Sequence, residues 1–265
     1  MENNYENKTS NIYGSLFTYY SDLQFDESVD LFFARHKKWG INLDWFKNKK
    51  CLDAGCGGGR YLVALSRLGA SEVRGIDISG PAVVAANERL KERDLDRRSQ
   101  AIQASVLEIP YPDNYFDYVV SSGVIHHTPD PRKAFSELTR VLKPGGIFFL
   151  SVYGKGGLKW LVNDIFRYSI CKVLPFRAME FLFKIIGMPA NKRYNILDNL
   201  YVPYCFRYQE PKVRKWLVDA GFDNIRRVKF ERYDYEKPFS RLIHGEGWIQ
   251  IYADKSGAST GSATT

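Results

Sequence analysis

The clearest chemistry in this sequence comes from an acid and three glycines with the spacing D-x-G-x-G-x-G. An apolar run ends at Asp53, and Gly55, Gly57 and Gly59 follow it before a helical pattern begins. In an open α/β sheet, such a turn forms a nucleotide crevice at the carboxyl end of the first strand. A pyrophosphate site needs bare amides at a helix N-terminus, and a carboxylate there would repel it. Asp53 therefore favours a ligand that carries a cationic group.

Two further positions separate this crevice from a dinucleotide site. The third glycine of the dinucleotide fingerprint would stand at position 60, which is Arg60. A second apolar run ends at Asp77, at the distance from the first acid where such folds place a carboxylate on ribose hydroxyls. We expect a nucleoside ligand with a cationic amino-acid portion.

The elements that must position these acids are read from apolar periodicity. Five strand patterns alternate with helical patterns over residues 50–153, which predicts a parallel sheet with right-handed crossovers. A further helix and two strands over 211–252 complete the prediction, with the last two strands along one sheet edge. The predicted fold class is α/β, a Rossmann-like seven-stranded, mostly parallel sheet with helices on both faces.

We predict five segments along the chain. Residues 1–45 form an N-terminal helical lid, 46–153 the ligand-binding core, and 154–208 a helical cap inserted after strand five. Residues 209–255 end the core sheet, and 256–265, which are only Ser, Gly, Ala and Thr, form a disordered tail.

Composition narrows the compartment and the partners. The 265 residues are 45% hydrophobic, enough for a sizeable core, and they contain no apolar run of membrane-spanning length. The N-terminus is polar and has no signal-peptide pattern, and the four cysteines show no pairing or metal-ligand spacing. These features predict reduced thiols, a cytoplasmic location and no metal.

Five motifs occur in order and together resemble the type 11 family of class I S-adenosylmethionine (SAM) methyltransferases. They lie at residues 53–59, 75–79, 109–117, 123–131 and 140–146. The resemblance implies SAM as cofactor and S-adenosylhomocysteine as product. It implies that eleven residues bind the cofactor: Tyr20, Asp53, Gly55, Cys56, Gly57, Asp77, Ile78, Ser105, Val106, Ser121 and Gly123.

The same resemblance divides these residues by the part of SAM that each contacts. Asp53 and the glycine turn take the amino-acid end, Asp77 takes the ribose hydroxyls, and Ile78 packs on the adenine. Ser105 and Val106 face the adenine edge, and Ser105 stands where the family often has an aspartate. Ser121 and Gly123 follow strand four, where the methionine portion meets the acceptor. Tyr20 reaches the methionine carboxylate from the aromatic N-terminal segment, or packs in the core.

Catalysis needs a base only if the acceptor must lose a proton. His126 and His127 are the candidates, because an imidazole titrates near neutrality and both follow strand four. Two alternatives stay open. Either the pair serves only packing, or the acceptor is a carboxylate and needs no base.

The acceptor must be selected by the cap, whose residues 154–208 hold nine Lys or Arg, three acids and many aromatic residues. The cap could enclose an apolar acceptor with an acidic group, lie on an anionic membrane to reach a lipid or isoprenoid, bind RNA, or be only a solvated basic face. We favour a small or amphiphilic, acidic acceptor methylated on oxygen in a biosynthetic pathway. Nucleic acid is disfavoured, because no Asn/Asp-Pro-Pro-type motif follows strand four. A SAM-binding protein without methyl transfer, or an interaction module, is the alternative of another class.

Overall fold

The computed structural model describes residues 21–229 and 237–257, without the side chains of residues 190, 191, 194 and 195. Its strands are β1 Lys50–Ala54, β2 Glu72–Asp77, β3 Ser99–Gln103, β4 Phe116–Ser122, β5 Leu142–Tyr153, β6 Phe222–Arg227 and β7 Trp248–Lys255. They form one sheet in the order β3-β2-β1-β4-β5-β7-β6. The first five strands are parallel, whereas β7 runs antiparallel to both of its neighbours.

Helices precede, connect and follow these strands. They are α1 Asp22–Lys38, α2 Arg60–Arg67, α3 Gly80–Glu92, α4 Pro131–Val141, α5 Leu158–Tyr168, α6 Ile170–Val173, α7 Phe176–Ile185, α8 Ala190–Tyr201, α9 Glu210–Asp219 and α10 Pro238–His244. Single 3-10 turns cover Leu43–Phe46 and Ile125–His127. Within these residues no helix is both long and apolar enough to cross a membrane.

The core lies on both faces of the sheet because successive strand residues point to opposite sides. Cys51 and Leu52 show this directly, since they are fully buried in two different apolar clusters. The cluster around Cys51 includes side chains of α1, α2 and α3, and the cluster around Leu52 includes those of α4 and α9. The predicted fold class is confirmed, including the helical N-terminal region.

The predicted element boundaries differ from the structure mainly around β5 and in the cap. The apolar pattern predicts that strand five begins at Ile147, but β5 begins at Leu142, because Leu142 already pairs with Phe116 of β4. The register is then irregular until Ile147 pairs with Tyr118. The apolar periodicity of residues 158–174 predicts one amphipathic helix, but in the structure it is broken at Ser169, whose hydroxyl donates to the Ile165 carbonyl. Helices α8 and α10 were not predicted.

Candidate functional site

The candidate site lies at the sheet edge where the carboxyl ends of β2, β1, β4 and β5 meet. These four strands are neighbours and parallel, so the residues that end each of them come together in space. The fold thus gathers the predicted residues of the glycine turn, the Asp77 region and the segment after β4.

The glycine turn requires glycine for two separate reasons. Gly55, Gly57 and Gly59 all have positive φ angles, of 88°, 49° and 86°, which side chains disfavour. A Cβ at position 55 would also overlap the Val124 side chain, which packs against the turn from the segment after β4. The turn and the β4 segment are therefore in direct contact.

Three amides of this turn already donate to groups of the protein itself. Gly55 and Cys56 both donate to the carbonyl of Ile76, at 2.8 and 3.0 Å, and Gly57 donates to the Asp77 carboxylate at 2.8 Å. An anion would need these N–H groups free. A cation needs oxygen atoms instead, and the turn can offer its carbonyls and Asp53.

Cys56 serves packing within the turn. Its side chain is buried, and a Cβ added at Gly75 would lie 2.8 Å from its Sγ. Burial raises the pKa of the Cys56 thiol well above its ordinary value. The thiolate that a nucleophile requires is therefore disfavoured.

Asp53 is the most unusual group at the site. Its side chain is only 1% exposed, and its Oδ1 atom has no hydrogen-bond partner within the described residues. Burial raises the pKa of Asp53 to about 8; the positive charge of Arg60 lowers it, and the neighbouring Asp77 raises it further. A buried carboxylate without a partner is costly unless a ligand supplies a donor or a positive charge.

Asp77 is held in place by backbone amides. Its Oδ1 accepts from Ser79 at 2.9 Å and its Oδ2 from Gly57 at 2.8 Å. Burial raises the pKa of Asp77, and the hydrogen bonds from backbone amides oppose this. Each carboxylate oxygen has a second lone pair, so the group can still accept from two hydroxyls.

The residues predicted for the adenine follow β2 and β3. Ile78 is half-buried, Val106 is buried, and the Ser105 hydroxyl accepts from the Leu107 amide at 3.3 Å. The Gln103 side chain donates to the Ile78 carbonyl at 3.0 Å, which ties the ends of these two strands together. We did not predict Gln103, although its position at the end of β3 was a usable signal.

Ser121 and Gly123 occupy the end of β4. Ser121 is fully buried, and its Oγ lacks a hydrogen-bond partner among the described residues. Gly123 has a φ of 83° and lies below Trp248, with a hypothetical Cβ 3.7 Å from the ring. The Ser121 hydroxyl is thus a second buried polar group without a partner among the described residues, one strand away from Asp53.

The two histidines lie in the 3-10 turn that follows β4. His126 is 0% exposed, both of its ring nitrogens lack hydrogen bonds in the described structure, and its ring packs 4.1 Å from that of Tyr153. Burial lowers the pKa of His126 well below its ordinary value, so this ring stays neutral. His127 is 4% exposed, and its Nδ1 lies 2.8 Å from the Tyr204 carbonyl.

The cap supplies partners of the histidines that sequence reasoning missed. Asp198 places its Oδ2 3.9 Å from Nε2 of His127 and accepts from the Tyr153 hydroxyl at 3.3 Å. The amide of Phe206 donates to the carbonyl of His126 at 2.8 Å. Of these partners, only Tyr153 could have been predicted from the sequence, because it ends β5, the strand next to β4.

Tyr20 lies outside the described residues, and so do residues 258–265 of the predicted tail. Residues 21–229 and 237–257 contain no group of His, Cys, Asp or Glu side chains that could hold a metal ion.

Comparison with known proteins identifies the domain that residues 52–150 form. A family model described as a methyltransferase domain, of type 11, matches residues 52–150. A ubiquinone/menaquinone biosynthesis C-methyltransferase of Francisella tularensis is 29% identical over 149 residues, 56% of each chain. The 27-O-demethylrifamycin SV methyltransferase of Amycolatopsis mediterranei is 37% identical over 114 residues, 42% of each chain.

A solved structure shows the same fold. The magnesium protoporphyrin IX methyltransferase of Synechocystis, with bound SAH, superposes with a TM-score of 0.52 at 20% identity and covers 89% of both chains. The chain spans between about a third and somewhat over half of the length of the curated relatives that it matches first. The resemblance predicted from the motifs is confirmed for residues 52–150, which form a methyltransferase domain of type 11.

Proposed function

We propose that this protein binds SAM at the glycine turn and transfers its methyl group to a small amphiphilic acceptor. The observation that carries the proposal is the pairing of two facts at the turn. The three amides face inward, and the buried Asp53 carboxyl keeps an oxygen without a partner among the described residues. This combination suits the ammonium of the methionine portion and is unsuited to a pyrophosphate.

The other residues fit the remaining parts of the cofactor. We assign the ribose hydroxyls to Asp77, because its two oxygens are fixed by amides and retain lone pairs. Ile78 and Val106 offer an apolar slot for adenine, and Ser105 offers a hydroxyl at its edge. When bound, SAM supplies an electrophilic methyl on a cationic sulfur. The protein's task is then to orient the acceptor and to exclude water.

A hydroxyl acceptor would lose its proton to His127. Because Nδ1 of His127 donates to the Tyr204 carbonyl, the neutral ring has its lone pair on Nε2. A proton taken there would be stabilised by the Asp198 carboxylate, 3.9 Å away. His126 would act as a positioning residue, since its ring packs 4.2 Å from that of His127.

The acceptor has to enter beneath the cap. Both histidines are almost fully buried under the segment that contains Tyr204 and Phe206. An acceptor therefore reaches Nε2 only when this segment moves. Inside the cap, Arg167 donates to backbone carbonyls and Arg207 pairs with Asp164, so these two arginines stabilise the cap.

We propose oxygen as the methylated atom of an acceptor with an ionisable hydroxyl. The names of the relatives include a C-methyltransferase of quinone biosynthesis and a methyltransferase that acts on an O-demethyl compound. A phenolate or enolate can react at oxygen or at the adjacent carbon, and both routes need the same base. The proposal for His127 therefore applies to either outcome.

The test is methyl transfer from labelled SAM to a panel of amphiphilic phenols, enols and hydroxy acids, followed by NMR of the product. We expect transfer to a phenol or enol. His127→Gln should lower the turnover rate about 10²–10³-fold, with partial recovery for acceptors of lower pKa. The matched His126→Phe protein should keep most of its activity. Equal activity of His127→Gln and wild type would remove the base, and SAM binding without any turnover would support the non-methylating alternative.

A further inference from the structure

Helix α5 of the cap is oriented with its apolar face outward. Leu158, Leu161, Val162 and Ile165 have the i, i+3, i+4, i+7 spacing of one helix face. They are 44–58% exposed to solvent. An amphipathic helix of a soluble domain normally turns such a face to the core.

The polar side chains of the same helix are used inside the protein instead. Arg167 donates to the carbonyls of Asn199 and Pro203, at 2.9 and 3.1 Å. The two terminal guanidinium nitrogens of Arg207 donate to the Asp164 carboxylate, at 2.6 and 2.7 Å. These bonds fix the rotation of α5, so the outward apolar face is a built feature of the cap.

Two neighbouring helices repeat this arrangement. On α7, Phe181, Leu182 and Ile185 follow helical spacing and are 46–64% exposed. On α10, Phe239 and Leu242 are 77% and 57% exposed. The start of α5 and the end of α10 pack backbone to backbone at Gly157 and Gly245, where no side chain would fit. The exposed apolar residues of α5 and α10 therefore belong to adjacent elements, and α7 is linked to α5 through α8, which packs against both.

Positive charge accompanies these apolar faces. Lys155, Lys172, Arg177 and Lys184 are all exposed and lie within or beside α5, α6 and α7. Arg167 and Arg207 form hydrogen bonds inside the cap. Much of the net positive charge of residues 154–208 therefore comes from the other basic residues, which include these exposed ones.

We propose that the outer face formed by the cap helices α5–α7 and by the adjacent helix α10 docks on an anionic lipid bilayer. Large exposed apolar patches mark interaction surfaces, and apolar helix faces flanked by Lys and Arg suit the interface of an acidic membrane. RNA would favour aromatic and basic groups over the aliphatic residues that dominate the α5 face. The inference goes beyond the proposed function and does not depend on methyl transfer. With both in place, the cap would draw an amphiphilic acceptor directly from the membrane.

Vesicle flotation of the full chain, without SAM or acceptor, tests the proposal. We expect binding to vesicles of phosphatidylglycerol and phosphatidylcholine, and much weaker binding to phosphatidylcholine alone. L161Q/I165Q should lower the affinity at least tenfold, because two exposed apolar contacts are lost and the core is untouched. K172Q/K184Q should lower it about 25-fold, or about fivefold for each charge. The control V84Q/V218Q removes two equally exposed apolar residues from core helices and should bind like wild type.

Several results would overturn the proposal. One is that the wild-type protein does not float with the vesicles. Another is that V84Q/V218Q and L161Q/I165Q lose vesicle affinity equally. Dimerisation that L161Q/I165Q abolishes would assign the face to a second copy. Flotation that appears only after deletion of residues 1–20 would show that this face binds that segment of the chain. Retention of the protein on RNA but not on vesicles would show that this face binds nucleic acid. A protein that floats but does not methylate would leave this inference standing and refute the proposed function alone.

Discussion

Replacing Asp53 with asparagine should stabilise the ligand-free protein, by an amount that depends on pH. The pKa of Asp53 is about 8 in the folded protein and about 3.9 in an unfolded chain. Between these values the folded protein keeps a proton that the unfolded chain has lost. The free energy of unfolding therefore falls as pH rises from about 4 to about 8, and does not fall further above that.

The magnitude follows from the pKa difference. Each pKa unit corresponds to about 1.4 kcal/mol, so Asp53 costs about 1–2 kcal/mol at pH 5 and about 5 kcal/mol at pH 8. An asparagine side chain at this position would carry no charge and would remove this cost. Urea denaturation should therefore show that the stability gain of Asp53→Asn grows by about 3–4 kcal/mol between pH 5 and pH 8.

The difference between variant and wild type isolates this residue, because all other titrating groups are shared. Asp96→Asn is the matched control, since it removes one carboxylate from an exposed turn. Its stability difference from wild type should stay nearly constant with pH. A pH-independent difference for Asp53→Asn would refute the reasoning, as would a variant that is less stable than wild type at pH 8.

Two further predictions concern the turn and the cap. Gly55→Ala should lower the affinity for SAM by more than tenfold, because position 55 has a positive φ and the added Cβ would clash with Val124. The control is Gly145→Ala, at a position with a φ of 75° and nothing within 4 Å of the added Cβ. It should cost only about 1–2 kcal/mol of stability and leave SAM binding unchanged. Equal SAM affinity in the two variants would contradict the role of the clash. Arg207→Met should remove the paired hydrogen bonds to Asp164 and destabilise the cap by about 2 kcal/mol. Limited proteolysis within residues 154–208 should therefore become faster. An unchanged rate of cleavage would show that this pair does not hold the cap.

Local sequence signals were sufficient to predict the crevice and its two acids. A strand that ends in an acid and a glycine turn depends only on neighbouring residues, so Asp53, Asp77 and the turn were found at the sheet edge where they were expected. The orientation of the cap helices was not predictable in this way. Periodicity shows that α5 has an apolar and a polar face, but not which of them meets the protein. The outcome depends on Arg207 and the Asn199 carbonyl, more than 30 residues away.

The surroundings of the histidines needed the tertiary structure for the same reason. The Tyr204 carbonyl that fixes the His127 ring lies 77 residues further along the chain. Asp198 is one of three acids in a basic segment, and nothing local distinguishes it. The His-His pair therefore indicated a possible base, whereas the choice between the two rings rests on contacts with the cap.

The central claim is that the Asp53 carboxylate receives the ammonium of SAM at the glycine turn. Calorimetric titration of SAM at pH 7, in two buffers of different ionisation enthalpy, counts the protons released on binding. With a pKa of about 8, Asp53 is mostly protonated before binding, so we predict the release of about 0.9 proton per SAM and per S-adenosylhomocysteine. Adenosine, which lacks the ammonium, should release none. Failure to bind SAM, or binding of SAM without proton release, would contradict the account.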